Sequence, residues 1–162
     1  KEEGVLFYRV SREKRLEGIL AKHAQSIYEP GKRSKEWRKI KTRQTQEGVI
    51  AGFTAPGGSR SFFGGLILGI YEGEKLVYAG QVGTGFSGTS LKEIGNNLAS
   101  LVQKECPFGA EPDTNAPATW VKPELVCEVS LTEWTGDNVM RQPVFLRLRE
   151  DKEPREVVRE TT

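Results

Sequence analysis

Histidine is almost absent from this 162-residue sequence: His23 is the only one, and there are only two cysteines, Cys106 and Cys127. That scarcity leaves almost no room for a closed Cys/His zinc site, a Cys–His dyad, or a Ser-His-Asp triad through anything but His23. Two cysteines are too few for a disulfide framework, so a reducing cytoplasm is the expected setting. Cys127 lies in the apolar run LVCEVSL and is expected to pack as a small hydrophobe. The apolar runs are only a few residues long, so no segment is expected to span a bilayer. An initial methionine is also lacking; the chain opens at Lys1 and reads as a fragment of a longer protein.

Charge is plentiful but unevenly placed. Residues 1–60 carry 14 Lys and Arg against 7 Asp and Glu, whereas residues 61–162 carry 10 against 15. The densest basic stretch is GKRSKEWRKIKTR, residues 31–43. Such a stretch fits a polyanionic partner or, equally, a solvated basic face.

The pattern predicts a mainly β protein with one or two helices. Residues 1–15 read as a helix, and LEGILA (16–21) and EWRKIK (36–41) read as strands. From Gly48 the order becomes strand, strand, strand, helix, strand, strand. GVIAGFT alternates, with Val49, Ala51 and Phe53 on one face, and LILGIY and KLVYAGQVG form a hairpin across EGE. TSLKEIGNNLASLVQKE reads as a helix capped by Ser90 and Glu93, with Leu91, Ile94, Leu98, Leu101 and Val102 on its apolar face. A Pro-rich connection, PFGAEPDTNAPATWVKP, leads to the strand ELVCEVSLTEW, with Cys127, Val129 and Leu131 inward. VMRQPVFLRLRE supplies a last strand, and the charged tail from Lys152 is expected to fray. Five strands with a helix between the third and fourth is the order of an OB-fold five-stranded barrel.

Four short patterns carry possible chemistry. GTGFSG places Gly83, Gly85 and Gly88 in a G-x-G-x-x-G, but the Pro-rich connection that follows favours a tight glycine turn over a dinucleotide site. EGILAK (17–22) sets Glu17 and Lys22 an odd number of positions apart, hence on opposite faces of a regular strand. Glu17 offers an oxygen ligand to a hard divalent ion or is a plain surface carboxylate. EGVIAG (47–52) nearly repeats this hexapeptide without its lysine. In WRKIK, Lys39 and Lys41 share one strand face with Trp37, opposite Arg38 and Ile40, and two ammonium groups on one face suit a phosphate. The competing reading is a charged edge strand. REDK (149–152) is, unaided, a solvated charge cluster.

Taken together, EGILAK, YEPGKRSKEWRKIK, the OB pattern and RQPVFLRLREDK resemble the C-terminal part of ATP-dependent DNA ligases. The likeness is greatest to the ligase component of bacterial DNA ligase D and covers most of the chain from about Leu16. The resemblance implies that residues 1–43 end an adenylation (nucleotidyltransferase) domain and that residues 44–162 form the OB domain. TRQTQ (42–46) would be the hinge between them. EGILAK then matches motif IV, with Glu17 linked to a divalent metal, magnesium or manganese. WRKIK matches motif V, whose lysines, here Lys39 and Lys41, contact the nucleotide α-phosphate, and Lys22 joins them in the nucleotide-binding set. REDK matches motif VI, in which Arg149, Asp151 and Lys152 orient the β- and γ-phosphates of ATP. Implied partners are nicked or broken duplex DNA, an upstream adenylation domain in the same chain, and a Ku-type end-binding protein, with no membrane. The implied location is the bacterial cytoplasm, at the nucleoid.

Two departures stand out. Arg147 occupies a position where the family often has glycine, so the local backbone is expected to differ there. The K-x-D-G motif of the lysine nucleophile is absent, so these residues alone are expected to be inactive. A stand-alone OB nucleic-acid-binding module is the alternative reading. An RNA capping guanylyltransferase and a protein-interaction domain are weaker ones.

Overall fold

The computed structural model describes residues 3–14, 16–28, 30–32 and 34–160. It divides the chain into two compact units, Lys1–Gln44 and Thr45–Thr162. No helix among the described residues is long and apolar enough to cross a membrane.

The first unit contains helix α1 (Gly4–Glu13) and strands β1 (Gly18–Lys22) and β2 (Trp37–Lys41). The two strands pair antiparallel, with Gly18 opposite Lys41, Leu20 opposite Lys39 and Lys22 opposite Trp37. Directly opposed residues in such a ladder point to the same face, so these six side positions share one surface. Gly18 has φ +155, and a Cβ there would run into the Ile40 carbonyl oxygen and lie 2.8 Å from Lys41 Cα. Only glycine lets the two strands approach this closely at their open end. The Thr42 hydroxyl donates to the Leu16 carbonyl, and Thr42 N donates to Glu17 O at 3.1 Å, closing the end of the hairpin.

The second unit is built on strand β3 (Gln44–Thr54), flanked by β4 (Leu66–Glu72), which is followed by β5 (Lys75–Val82). Long strand β7 (Ala118–Leu131) lies on the other side of β3, and β10 (Val144–Leu148) lies beyond it, giving the order β10-β7-β3-β4-β5. Val49, Ile50 and Ala51 are all fully buried, so β3 is covered on both faces. The expected single inward face of Val49, Ala51 and Phe53 therefore gives way to a two-sided one. A register shift between Ile50 and Gly52 also breaks the alternation. Cys127, Val129 and Leu131 are fully buried, as the alternation predicts.

The five strands follow the expected OB order, but the sheet does not close into the expected barrel. Its edge strands β5 and β10 form no ladder; near them, Phe145 N donates to Thr84 O at 2.9 Å. Gly85, at φ +96, makes this approach possible, because a Cβ there would collide with the Phe145 carbonyl oxygen. This is the tight glycine turn of GTGFSG.

Helix α2 (Gly88–Ala99) starts and ends earlier than its apolar spacing suggests. Its cap is Ser87, not Ser90: Ser90 N donates to Ser87 Oγ at 3.1 Å, and Ser87 N donates to Ser90 Oγ at 2.8 Å. Two serines thus form the reciprocal box, and Glu93 takes no part in it. The helix stops at Ala99 because Val102–Gln103, strand β6, pairs antiparallel with Val121 and Trp120 of β7. Val102 is accordingly half-exposed and lies off the apolar helix face. The last expected strand is split. Strands β8 (Glu133–Trp134) and β9 (Met140–Arg141) form a small hairpin, and β10 follows.

The C-terminal tail is ordered through Glu160; the rest of the expected fraying tail lies outside the described residues. After a 3-10 turn at Pro154–Glu156, Val157 is fully buried, and Tyr71 N donates to its carbonyl at 2.7 Å. Gln46 Nε2 donates to Val158 O at 2.9 Å, and Glu160 N donates to Gln46 Oε1 at 3.0 Å. One buried valine and three hydrogen bonds outweigh the tail's polarity.

Burial pushes the Cys127 thiol up to about 12, whereas Cys106 is only half-buried. The thiolate is the reactive form. In the native protein at pH 8, a chromogenic disulfide reagent is expected to titrate Cys106 alone. Cys127 should react only after denaturant is added, and rapid reaction of both thiols in the native state would contradict this packing.

Candidate functional site

The shared face of the β1–β2 hairpin carries Lys22, Trp37, Lys39 and Lys41, as the alternation of WRKIK predicts. Arg38 lies on the opposite face, where its Nε donates to Lys35 O at 3.4 Å. Lys22 Nζ sits 4.1 Å from the centre of the Trp37 ring, a cation–π contact. The Tyr28 ring lies 5.3 Å from Trp37, and Trp37 Nε1 donates to Ser26 Oγ at 2.8 Å. Beside them opens a cavity of about 410 Å³ whose lining includes Tyr28, Lys32, Ser34, Trp37 and Lys39. Flat rings next to ammonium groups and a hydroxyl suit a ligand with an aromatic part and an anionic part. Lys41 shares the face but does not line this cavity.

Glu17 departs from the alternation expected of EGILAK. It precedes β1 at the Gly18 break, and Lys39 Nζ donates to its Oε1 at 2.5 Å, with the two side chains 61% and 50% exposed. Its carboxylate therefore reaches the face that carries Lys22, where a regular strand would have placed it on the other side. Among the described residues, no three His, Cys, Asp or Glu stand together in a way that would hold a metal. A divalent cation wants six or more oxygens, and the Glu17 carboxylate is paired with Lys39.

The second constellation lies wholly in the Thr45–Thr162 unit, just beyond β10. Arg149 donates from Nε to Asp151 Oδ1 at 2.8 Å and from Nη2 to Oδ2 at 2.9 Å, a two-pronged pair. Its Nη1 donates to Glu47 Oε1 at 2.6 Å, while Lys152 Nζ lies 3.5 Å from Glu47 Oε2. Glu47 therefore divides its two oxygens between two cations that sit three positions apart in the chain. Its side chain is only 12% exposed, and that of Arg149 18%. A carboxylate so poorly hydrated needs something in place of its lost water, and here two cations supply it. Arg147, at the register shift between Phe145 and Arg147, reaches Glu128 Oε2 from Nε at 2.7 Å. The residue that departs from the family pattern thus sits at a backbone irregularity. The Glu160 carboxyl also faces this cluster, and is raised above the usual range first by burial and then by Glu47.

The structure thus groups the candidates into two sets, one in each unit: Glu17, Lys22, Lys39 and Lys41, and separately Arg149, Asp151 and Lys152. Glu47 is the member that sequence reasoning passed over. Its signal was present in EGVIAG, a lone carboxylate heading an apolar run.

The Arg149 hydrogen bonds, and after them a backbone hydrogen bond, hold the Asp151 carboxyl down at about 2. A depressed folded value adds stability that is present above the ordinary carboxylate value of about 3.9 and is lost as pH falls through about 2. A carbon-detected NMR titration should place the Asp151 midpoint near 2. In Arg149→Ala the midpoint should return toward the ordinary value, and an unchanged midpoint would rule out this pair as the cause.

Comparison with known proteins follows the same division. The family model described as ATP dependent DNA ligase C terminal region matches residues 59–152, and the ATP dependent DNA ligase domain model matches residues 2–41. The multifunctional non-homologous end joining protein LigD of Pseudomonas aeruginosa is 42% identical over 150 residues, 90% of this chain and 18% of that protein. The crystal structure of the ligase domain of Mycobacterium tuberculosis LigD superposes with TM-score 0.65 at 40% identity. It covers 97% of this chain and 51% of that one. A mycobacterial DNA ligase D complexed with ATP and MES gives TM-score 0.66 at the same identity and coverage. This chain spans about half of those solved domains and under a fifth of the Pseudomonas protein. With one ligase model on each unit and the OB strand order in the second, the chain belongs to the ATP-dependent DNA ligase family.

Proposed function

We propose that this chain is the C-terminal end of a bacterial ATP-dependent DNA ligase that seals nicks and breaks during non-homologous end joining. The observation that carries the reading is the placement of the two family matches, one on each compact unit and in the order of a ligase domain. Residues 1–43 then complete an adenylation domain whose nucleophilic lysine lies in a preceding part of the same protein, and residues 44–162 are its OB domain. The substrates are ATP and nicked or broken duplex DNA. The work is done in the bacterial cytoplasm at the nucleoid, with a Ku-type end-binding protein as a partner.

The reaction has three steps. A lysine displaces pyrophosphate from ATP and takes AMP; the AMP passes to a DNA 5′-phosphate; a 3′-hydroxyl then displaces AMP and closes the strand. Lys39 and Lys41 would stabilise the negative charge that grows on the α-phosphate oxygens, with Lys22 and Trp37 beside them. Fixed cations are most effective where charge develops in the transition state. A bound magnesium or manganese ion would supply further charge neutralisation. Glu17 would contribute a carboxylate oxygen to holding it. Arg149, Asp151 and Lys152 would orient the β- and γ-phosphates when the OB domain closes over ATP. The pivot would lie within TRQTQ, residues 42–46, the stretch that contains the boundary between the two units. A hinge of this kind needs only one or two residues whose dihedrals can change.

In the full-length ligase, Lys39→Ala and Lys41→Ala should each lower the sealing rate by about 100-fold, the scale for losing one transition-state charge stabiliser. Arg38→Ala, on the other face of the same strand, should leave it within a few-fold of the parent. Equal losses for Arg38 and Lys39 would defeat the strand-face assignment.

Arg149→Ala separates the phosphate role from a DNA-gripping one. It should strongly impair self-adenylation by ATP yet largely spare sealing of a nick that already carries 5′-AMP, because no pyrophosphate is left to orient. Equal losses in a paired rate measurement would move Arg149 onto the DNA-binding surface.

A further inference from the structure

We propose that Glu47 is a positioning residue that fixes Arg149 and Lys152 side by side as a single phosphate-binding unit. The inference rests on the phosphate role proposed above for those two cations. Arg149 has five N–H donors in a rigid plane. Asp151 takes two of them along one edge, and Glu47 takes a third from Nη1. A guanidinium held at two edges can neither rotate nor slide, and two of its donors remain outside this network. Lys152 is a flexible ammonium with no preferred direction of its own. The second oxygen of Glu47, 3.5 Å away, brings it to the same side as the guanidinium. A carboxylate needed only for stability would be satisfied by one cation; Glu47 spends one oxygen on each.

The anchoring of Glu47 itself points the same way. Its neighbour Gln46 is almost fully buried, donates from Nε2 to the Glu47 carbonyl at 2.8 Å, and ties down Val158 and Glu160. Glu47 also sits at the head of the strand whose next residues, Val49–Ala51, are wholly enclosed. Its carboxylate is thus carried on one of the most tightly held backbone segments of the unit. Asp151, 70% exposed on the turn beyond β10, is held by Arg149 and has no such footing. Two cations that must meet a polyphosphate together gain most from being preorganised by a fixed anion of this kind.

The test uses Glu47→Ala, Glu47→Gln and Arg149→Ala in the full-length ligase. Self-adenylation, sealing of a pre-adenylated nick and the thermal midpoint are measured for each. Glu47→Ala should slow self-adenylation about tenfold or more, the equivalent of one lost charge-assisted hydrogen bond. Sealing of the pre-adenylated nick should change by less than about twofold on the same scale. Glu47→Gln keeps an oxygen for Arg149 Nη1 but loses its hold on Lys152, so it should fall between Glu47→Ala and the parent. If Arg149→Ala slows self-adenylation and Glu47→Ala does not, the positioning role fails while the phosphate reading survives. If Arg149→Ala itself spares self-adenylation, the phosphate reading fails and takes this inference with it. Equal loss of both reactions in Glu47→Ala with a lowered thermal midpoint would reduce Glu47 to a stability residue. Glu47→Gln as slow as Glu47→Ala would assign the effect to charge alone and likewise overturn the inference.

Discussion

Strand β3 is the constraint on which the second unit depends. It lies between β7 and β4 in the middle of the sheet, and Val49, Ile50 and Ala51 have no exposed surface. A strand paired along both edges and covered on both faces has little freedom to shift register. Its polar head, Gln46 and Glu47, is therefore held as firmly as its apolar body. From that head the C-terminal tail is tied through Gln46, and the Arg149–Lys152 pair is tied through Glu47. One strand thus links the core, the tail residues Val158 and Glu160, and the cationic cluster.

The energetic logic of the cluster follows from desolvation. Removing a carboxylate from water costs several kcal/mol, and this cost is offset only if opposite charges are close and well oriented. Glu47 meets the condition with two partners, Arg149 at 2.6 Å and Lys152 at 3.5 Å. With Asp151 the cluster contains two cations and two ion-paired carboxylates, and the Glu160 carboxyl faces it as a third acid whose pKa is raised. A polyphosphate arriving there would have to compete with Glu47 and Asp151 for the same N–H groups. Such competition favours binding of a highly charged group over a singly charged one, which suits a pyrophosphate leaving group. The hairpin of the first unit repeats the device in weaker form. Lys39 is paired with Glu17, but both side chains are at least half-exposed, and a solvated pair of this kind contributes little to stability. In the proposed role, Lys39 would therefore exchange its carboxylate for a phosphate at small cost.

Much of this was legible in the sequence, for identifiable reasons. The period-two pattern of WRKIK placed Trp37, Lys39 and Lys41 on one face, because an exposed two-stranded ladder has nothing to override its pleat. Cys127, Val129 and Leu131 were inward for the same reason. The errors fall where tertiary pairing competes with local pattern. Val102 fitted an apolar helix stripe, yet it pairs with Val121 because an open strand position was available there. Ser87 displaced Ser90 as the cap because the two serines satisfy each other's backbone. The tail looked too charged to order, and its one buried residue, Val157, carries too little signal to be seen in a string of Glu and Arg. Barrel closure was unreadable because strand order fixes neighbours but not whether the edges join.

Glu47 shows a more general limit of reading function from motifs. Arg149, Asp151 and Lys152 are contiguous and so form a recognisable word, whereas their anchor is about a hundred residues away and belongs to no word at all. Its only mark in the sequence is incongruity: a carboxylate at the start of a run that the fold buries. Buried charge is expensive enough that such incongruity is rarely idle. In a chain with one histidine and few polar residues inside its core, the misplaced carboxylate points to where the cations must converge. It does so once the fold shows it buried, because a carboxylate that has lost its water needs cations, hydrogen-bond donors or a proton in its place, and here Arg149 and Lys152 supply the cations.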